Sequence, residues 1–133
     1  LDVLFTACIE PQLQAPTLVF DFPASQAALA RLHQNAAQQL VAERAELYWL
    51  GCELANGYAE LTDGVELRVR MVRNNALRQR RRLPAVDLDE KLLAAMPELP
   101  ACAGVAVGFD RLLMLLTQRT QIDQVISFTA TNL

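Results

Sequence analysis

Apolar residues along this chain fall into short runs set apart by Pro, Gly and Asp, and the spacing inside each run predicts an element. Leu1 to Ile9 reads as the end of a helix, stopped by Pro11 and Pro16. Thr17 to Phe22, β-branched and aromatic and closed by Pro23, reads as a strand. From Ala24 to Leu50 propensity favours one long helix, because Ala, Gln, Leu and Glu dominate without Gly or Pro. Within it, Leu47-Tyr48-Trp49-Leu50 also has the look of a buried strand, and periodicity cannot assign so short a run. Thr62 or Asp63 can cap a helix, Glu66 stands three residues after Asp63, and the pattern runs on to Arg82 before Pro84.

A further helix is predicted from an Asp87 or Asp89 cap, with Leu88, Leu92, Leu93 and Met96 turned to a core and Pro97 as its stop. Cys102 to Gly108 alternates small and β-branched residues and is too glycine-rich for a helix. It reads as a strand entering a buried helix over Asp110 to Leu116. Ile122, Val125, Ile126 and Phe128 close the chain as a short helical turn or strand, and Trp49 and Phe109 are expected in the core.

Composition narrows the function classes. With 133 residues and 53% hydrophobic content, the chain can bury one modest core. Twelve basic against fifteen acidic residues exclude a generally polybasic nucleic-acid binder. Seven arginines nevertheless lie between 68 and 82, leaving five basic residues against fifteen acids elsewhere, a balance of −10. That strip could bind an anionic partner, or be a solvated basic face beside an acidic body. Cys8, Cys52 and Cys102 show no CxxC spacing, which argues against a disulfide framework or thiolate zinc site and favours a reducing, cytoplasmic setting. No apolar run is long enough to span a bilayer, and the start lacks the features of a signal peptide. Leu1 is not an initiator Met, so a piece of a longer protein is expected.

Two constellations could carry chemistry. Gly104 and Gly108 lack a Cβ, so a flat ligand could lie against the backbone, and Arg111 at the start of an apolar helix calls for an anionic partner such as phosphate. The alternative is tight packing by the glycines and a cap by Asp110. The second constellation, Glu53 to Asp63, combines carboxylates, a carboxamide and a phenol, with Glu46 seven residues before Glu53. Were Glu46 and Glu53 opposite each other across a hairpin turning near Trp49 and Leu50, their Cβ atoms would lie roughly 5 Å apart, a pair suited to Mg²⁺. The alternative is a solvated strand edge. On a regular strand Glu53 and the set Asn56, Tyr58 and Glu60 point to opposite faces, so a shared pocket requires a bulge, for which Asn56-Gly57 is the expected place. His33, the single histidine, is expected at the surface.

Gly51-Cys52-Glu53-Leu54-Ala55-Asn56-Gly57-Tyr58-Ala59-Glu60-Leu61-Thr62-Asp63, followed by Ala103-Gly104-Val105-Ala106-Val107-Gly108-Phe109-Asp110-Arg111, resembles the carboxyl-terminal part of a class II lysyl-tRNA synthetase catalytic domain. The second segment resembles motif 3 of that class. Phe22-Pro23-Ala24-Ser25-Gln26-Ala27-Ala28-Leu29-Ala30 and the alanine at 106 resemble more closely the synthetase paralogues that attach (R)-β-lysine to elongation factor P. The similarity covers nearly the whole chain.

The resemblance implies an α+β fold, a partial domain built on an antiparallel sheet flanked by helices, which revises 41–61 to a strand pair. It implies that Glu46 and Glu53 hold Mg²⁺ and ATP, with Leu54 beside Glu53. Asn56, Tyr58, Glu60, Gly104 and Ala106 would line the lysine pocket, Glu60 pairing with the ε-ammonium. Gly108 would make room for the nucleotide and Arg111 would meet the γ-phosphate as the catalytic arginine. The lysyl-tRNA synthetases usually carry Gly where Ala106 stands, and a methyl there narrows the pocket near the α-carbon, in keeping with a β-amino acid. The implied reaction is adenylation of (R)-β-lysine and its transfer to a lysine of elongation factor P. Lysyl-tRNA synthesis, or a non-catalytic binding module using the arginine strip, are the alternatives.

Motif 1, which builds the family's dimer interface, and motif 2, whose arginine grips the α-phosphate, would lie upstream of Leu1. The tail 127–133 lacks an arginine often found near the family's end. The isolated chain is therefore expected to bind ATP weakly without turnover; robust β-lysine-dependent ATP–pyrophosphate exchange by it would refute this.

Overall fold

A computed structural model describes residues 1–129, with Asp2 by its backbone only, so the tail positions 130–133 lie outside the described residues. The chain starts with α1 (Asp2–Leu4), which continues as a π-helical turn over Phe5–Ile9 and a 3-10 turn over Glu10–Gln12. β1 (Thr17–Pro23), β2 (Leu32–Gln34), β3 (Leu40–Trp49) and β4 (Cys52–Ala59) follow. Then come α2 (Gly64–Arg80), α3 (Glu90–Ala95), β5 (Ala103–Val107) and α4 (Phe109–Leu116). The strands form one antiparallel sheet in the order β1-β3-β4-β5, with β2 beside the first residues of β3. This is the expected α+β class with an antiparallel sheet and flanking helices.

The long helix favoured by propensity over Ala24 to Leu50 does not form. A 3-10 turn at Ala24–Gln26, β2 and β3 take its place. Here alanine serves close approach: Ala27, Ala30 and Ala42 are buried together, Ala30 bridges to Glu60, and Phe22, Leu32 and Tyr58 pack against them. The strand pair over 41–61 is present. Leu50 and Gly51, both at positive φ, make the two-residue turn between β3 and β4, the backbone twist such hairpins need.

α2 begins where the capping signal placed it, with Asp63 Oδ1 accepting from the N–H groups of Val65 (2.8 Å) and Glu66 (3.1 Å). Asp89 caps α3 through the N–H of Leu92. Leu61, Leu67, Leu93 and Met96 form the core that ties these helices to the end of β4. α4 is half-buried at most, contrary to the expected buried helix, and Phe109 is exposed rather than in the core. Trp49 is half-buried. Residues 122–124 form a 3-10 turn, within the expected turn or strand.

One face of the sheet presents Leu18, Phe20, Val105 and Val107 largely to solvent. The other carries the polar side chains described next. The three cysteines are free, as their spacing implied. Among the described residues no helix is long and apolar enough to cross a membrane.

Candidate functional site

Register decides which side chains meet. Glu46 stands opposite Asn56 and Arg44 opposite Tyr58, while Tyr48 stands opposite Glu53. The expected pairing of Glu46 with Glu53 across the hairpin is therefore corrected. The turn lies at Leu50-Gly51, and an extra residue in β4, Leu54, shifts the register between Leu47 and Tyr48. That bulge brings Glu53 to the face that already holds Asn56, Tyr58 and Glu60. The need for a bulge is met, but at Leu54 instead of Asn56-Gly57; the Leu54 carbonyl accepts the Gly108 N–H at 2.8 Å in continuation of the β4–β5 register, so the irregularity lies on the β3 side. A second irregularity, with Asp21 at φ 59, turns Phe22 to the same face, beneath Arg44.

Glu46, 4% exposed, is the hub of this face. Its Oε1 accepts from Arg44 and from Asn56 Nδ2 (2.8 Å), and its Oε2 from the Tyr48 hydroxyl (2.6 Å). Arg44 also donates to Asn56 Oδ1 (3.3 Å) and the Gln26 carbonyl (2.9 Å), and its guanidinium lies over the rings of Phe22 (4.5 Å) and Tyr58 (5.7 Å). A buried carboxylate is thus compensated by one cation and three donors in total. Burial first, then the hydrogen bond to Glu46 and the charges of Glu46, Glu53 and Glu10, push the Tyr48 hydroxyl well above the ordinary tyrosine range. A cavity of about 310 Å³ opens over Arg44, Glu46, Tyr48 and Glu53, walled on its other side by Phe5 and Val19.

Glu60 contrasts with Glu46. It is half-buried, yet its carboxylate makes no hydrogen bond or ion pair among the described residues. It lies where a Cβ on Gly104 would stand, 2.5 Å from Oε1, so the bare backbone of Gly104 is what admits it. Gly104 pairs with Tyr58 and Ala106 with Asn56, which puts both β5 residues beside the same face.

Arg111 projects from the first turn of α4 to the Glu53 carbonyl (2.9 Å), with its guanidinium 3.7 Å from Glu53 Oε2. Both side chains keep substantial exposure. Gly108 is the N-cap of α4; a Cβ there would make ordinary van der Waals contact with Arg111 Cδ at 3.4 Å. Asp110 does not cap the helix, so that part of the alternative reading falls, while its other part, close packing at the glycines, is present at Gly104 and Gly108.

Glu46, Glu53, Asn56, Tyr58, Glu60, Gly104, Ala106 and Arg111 are thus gathered on or beside one face. Leu54 is buried and contributes through its carbonyl to the bulge. Sequence reading missed Arg44, Tyr48 and the Gln26 carbonyl. Arg44 and Tyr48 sit two residues either side of Glu46, and on a strand that spacing alone puts three polar residues on one face. His33 lies apart, half-buried, with Nδ1 4.0 Å from Glu43.

The donor set can be tested for a cation. Among the described residues no three His, Cys, Asp or Glu side chains come close enough to cage an ion. Mg²⁺ does not need such a cage: it commonly takes one or two carboxylates and completes its shell with water and phosphate oxygens. Glu53 is open, and Glu46 retains a lone-pair direction on Oε2, since a carboxylate offers about four. The residues fit Mg²⁺ delivered with a nucleotide.

The family model for class II tRNA synthetases (D, K and N) matches residues 3–132. The chain is similar to the elongation factor P (R)-β-lysine ligase of Mannheimia succiniciproducens, 44% identical over 99% of this chain and 41% of that protein. Similarity extends to the proteins of the same name from Proteus mirabilis, 47% identical over 96% of this chain and 40% of theirs, and Klebsiella pneumoniae subsp. pneumoniae, 46% over 97% and 40%. The chain therefore spans about 40% of the length of the curated relatives it matches.

Proposed function

The chain belongs to the class II tRNA synthetases of the D, K and N type, and on that premise we propose that it forms the amino-acid- and nucleotide-binding part of an ATP-dependent ligase. The ligase activates (R)-β-lysine and transfers it to a lysine of elongation factor P, in the cytoplasm. The names of its relatives support the reaction class. The observation that carries the site is Glu60, a half-buried carboxylate without a donor among the described residues, set against the bare backbone of Gly104. An ammonium group supplies the missing donor, and a charge-assisted bond of this kind strengthens in a low-dielectric pocket.

The substrate carboxylate attacks the α-phosphorus of ATP, giving the aminoacyl adenylate and pyrophosphate. The acceptor amine then attacks the acyl carbon and AMP leaves. Glu60 anchors the side-chain amine, and Asn56, held by Arg44 and Glu46, presents a fixed amide to the other end of the substrate. Arg111, resting on Glu53, would meet the triphosphate, and Gly108 would make room for the nucleotide. Mg²⁺, held by Glu53 with Glu46, would neutralise phosphate charge. Dimerisation through a part of the protein outside this chain belongs to the same proposal.

The methyl of Ala106, beside Asn56 on the site face, favours a substrate whose amino group is displaced by one methylene. The test is ATP–pyrophosphate exchange by the whole protein with (R)-β-lysine and with α-lysine, followed by transfer to elongation factor P. A higher kcat/KM for β-lysine with transfer to the protein is expected. Preference for α-lysine with transfer to tRNA would replace this reading with lysyl-tRNA synthesis.

A further inference from the structure

The proposed reaction leaves the arginines of α2 unused, and they divide into two groups. Arg68 is held by Glu90, and Arg70 by Glu66 and the carbonyls of Ala28 and Ala30. Arg73, Arg80, Arg81 and Arg82 are exposed, and their side chains make no ion pair or hydrogen bond among the described residues. Arg78 gives one N–H to the Pro84 carbonyl (2.8 Å), which leaves its charge uncompensated. Among the described residues, five cations without an acidic partner thus gather along the second half of α2 and the two residues that follow it, in a chain whose remaining residues are strongly acidic.

The helix dipole favours cations only within the last turn, which does not account for Arg73. Nor does it account for Arg82. The Arg82 N–H bonds to Gln79 O and the Leu83 N–H to Arg78 O, an arrangement that puts residue 82 in the left-handed conformation, φ 58, where glycine is favoured. An arginine thus stands where glycine is locally favoured, as Gln118 does after α4.

Beside the cations lies a groove of about 450 Å³ between α2 and residues 83–88, with an apolar floor that includes Leu77, Leu83 and Val86, two arginines, Arg78 and Arg81, against one acid, Asp87, and the polar Asn74 and Asn75. The groove is preformed: Asn75 clamps the Val86 backbone through both its N–H (2.9 Å) and its carbonyl (2.7 Å). An apolar slot bordered by arginines is complementary to a protein segment with an apolar anchor among acidic residues. A nucleic acid would use the arginines and leave the slot empty. No aromatic residue between 62 and 108 offers a stacking platform, and the acidic remainder of the chain would repel phosphates.

We infer that the carboxyl-terminal half of α2 and the 83–88 segment dock an acidic, apolar-anchored segment of the protein that accepts the activated amino acid. This rests on the proposed ligase reaction and adds to it where the acceptor is held. The test uses the whole protein with Arg80→Glu, Arg81→Glu and Arg82→Glu combined, and separately Val86→Asp, reading ATP–pyrophosphate exchange and initial rates of transfer to elongation factor P. Each variant should raise KM for elongation factor P by about tenfold or more, with exchange within about twofold of the unmodified protein. Added salt should weaken transfer by the unmodified protein and not by the triple variant. The corresponding triple glutamine variant serves where charge reversal prevents folding. Unchanged KM in both variants overturns docking. So does a loss of exchange that accompanies the loss of transfer in the glutamine variant, or a loss of tRNA binding with transfer to protein intact. Failure of the ligase reading is distinct, since it shows in the unmodified protein as exchange without transfer to elongation factor P.

Discussion

Substituting Gly104 by alanine places a Cβ 2.5 Å from Glu60 Oε1, and the only other atom within 4 Å is Glu60 Cδ, at 3.6 Å. The clash is therefore with the far end of one flexible side chain and with no backbone atom. Relief requires the carboxylate to retreat by roughly 1 Å to reach ordinary van der Waals separation. Folding is left nearly untouched, with Tm expected to change by less than about 3 °C, because Glu60 makes no bond among the described residues that the movement breaks. Substrate binding is not left untouched. A hydrogen bond to a charged group contributes about 1.5–3 kcal/mol, so its loss raises the KM for the amino acid roughly 10- to 150-fold. ATP–pyrophosphate exchange by the whole protein, with amino acid and ATP varied in turn, reads this directly, and KM for ATP should hold. Glu60→Gln calibrates the effect. A well-folded Gly104→Ala protein with unaltered KM for the amino acid would show that Glu60 does not bind the amine.

Three further outcomes follow from the same face and from α2. Arg44→Ala removes the cation from a carboxylate that is nearly inaccessible and should destabilise the protein by about 3 kcal/mol in urea denaturation; a change under about 1 kcal/mol would mean that Asn56 and Tyr48 compensate Glu46 unaided. Because the Tyr48 hydroxyl is held above its unfolded value near 10, its contribution to stability is complete below that pH and declines as pH rises beyond it. Tyr48→Phe should flatten the alkaline limb of a stability–pH curve, and an unaltered slope would remove Tyr48 as its source. Arg82→Gly relieves the left-handed conformation and should stabilise the chain by about 1 kcal/mol, seen as a higher urea midpoint, so unaltered stability would argue against strain at that position.

The parts of the fold legible in the sequence are those fixed by neighbouring residues. Asp63 with Glu66, and Asp89 before Leu92, each set a cap through atoms only a few residues away. The segment 24–50 was misread by propensity because its alanines are selected by contacts distant in sequence. Ala30 is fully buried beside Glu60, where a larger side chain would part β4 from the turn. The site was legible as a list of residues and not as an arrangement. Nothing in Leu54 announces a bulge: it is a mismatch of β4 with β3, while the register of β4 with β5 runs on unbroken to Gly108, more than fifty residues later. A single added residue exchanges the faces of everything on one side of it. Without that residue Glu53 would turn toward the apolar face with Leu18 and Phe20, Arg111 would lose its carboxylate neighbour, and the cavity above Tyr48 would lack the acid nearest the arginine. The register of β4 against β3 thus also decides which carboxylates share the site face, so fold and candidate site are set by the same strand pairing.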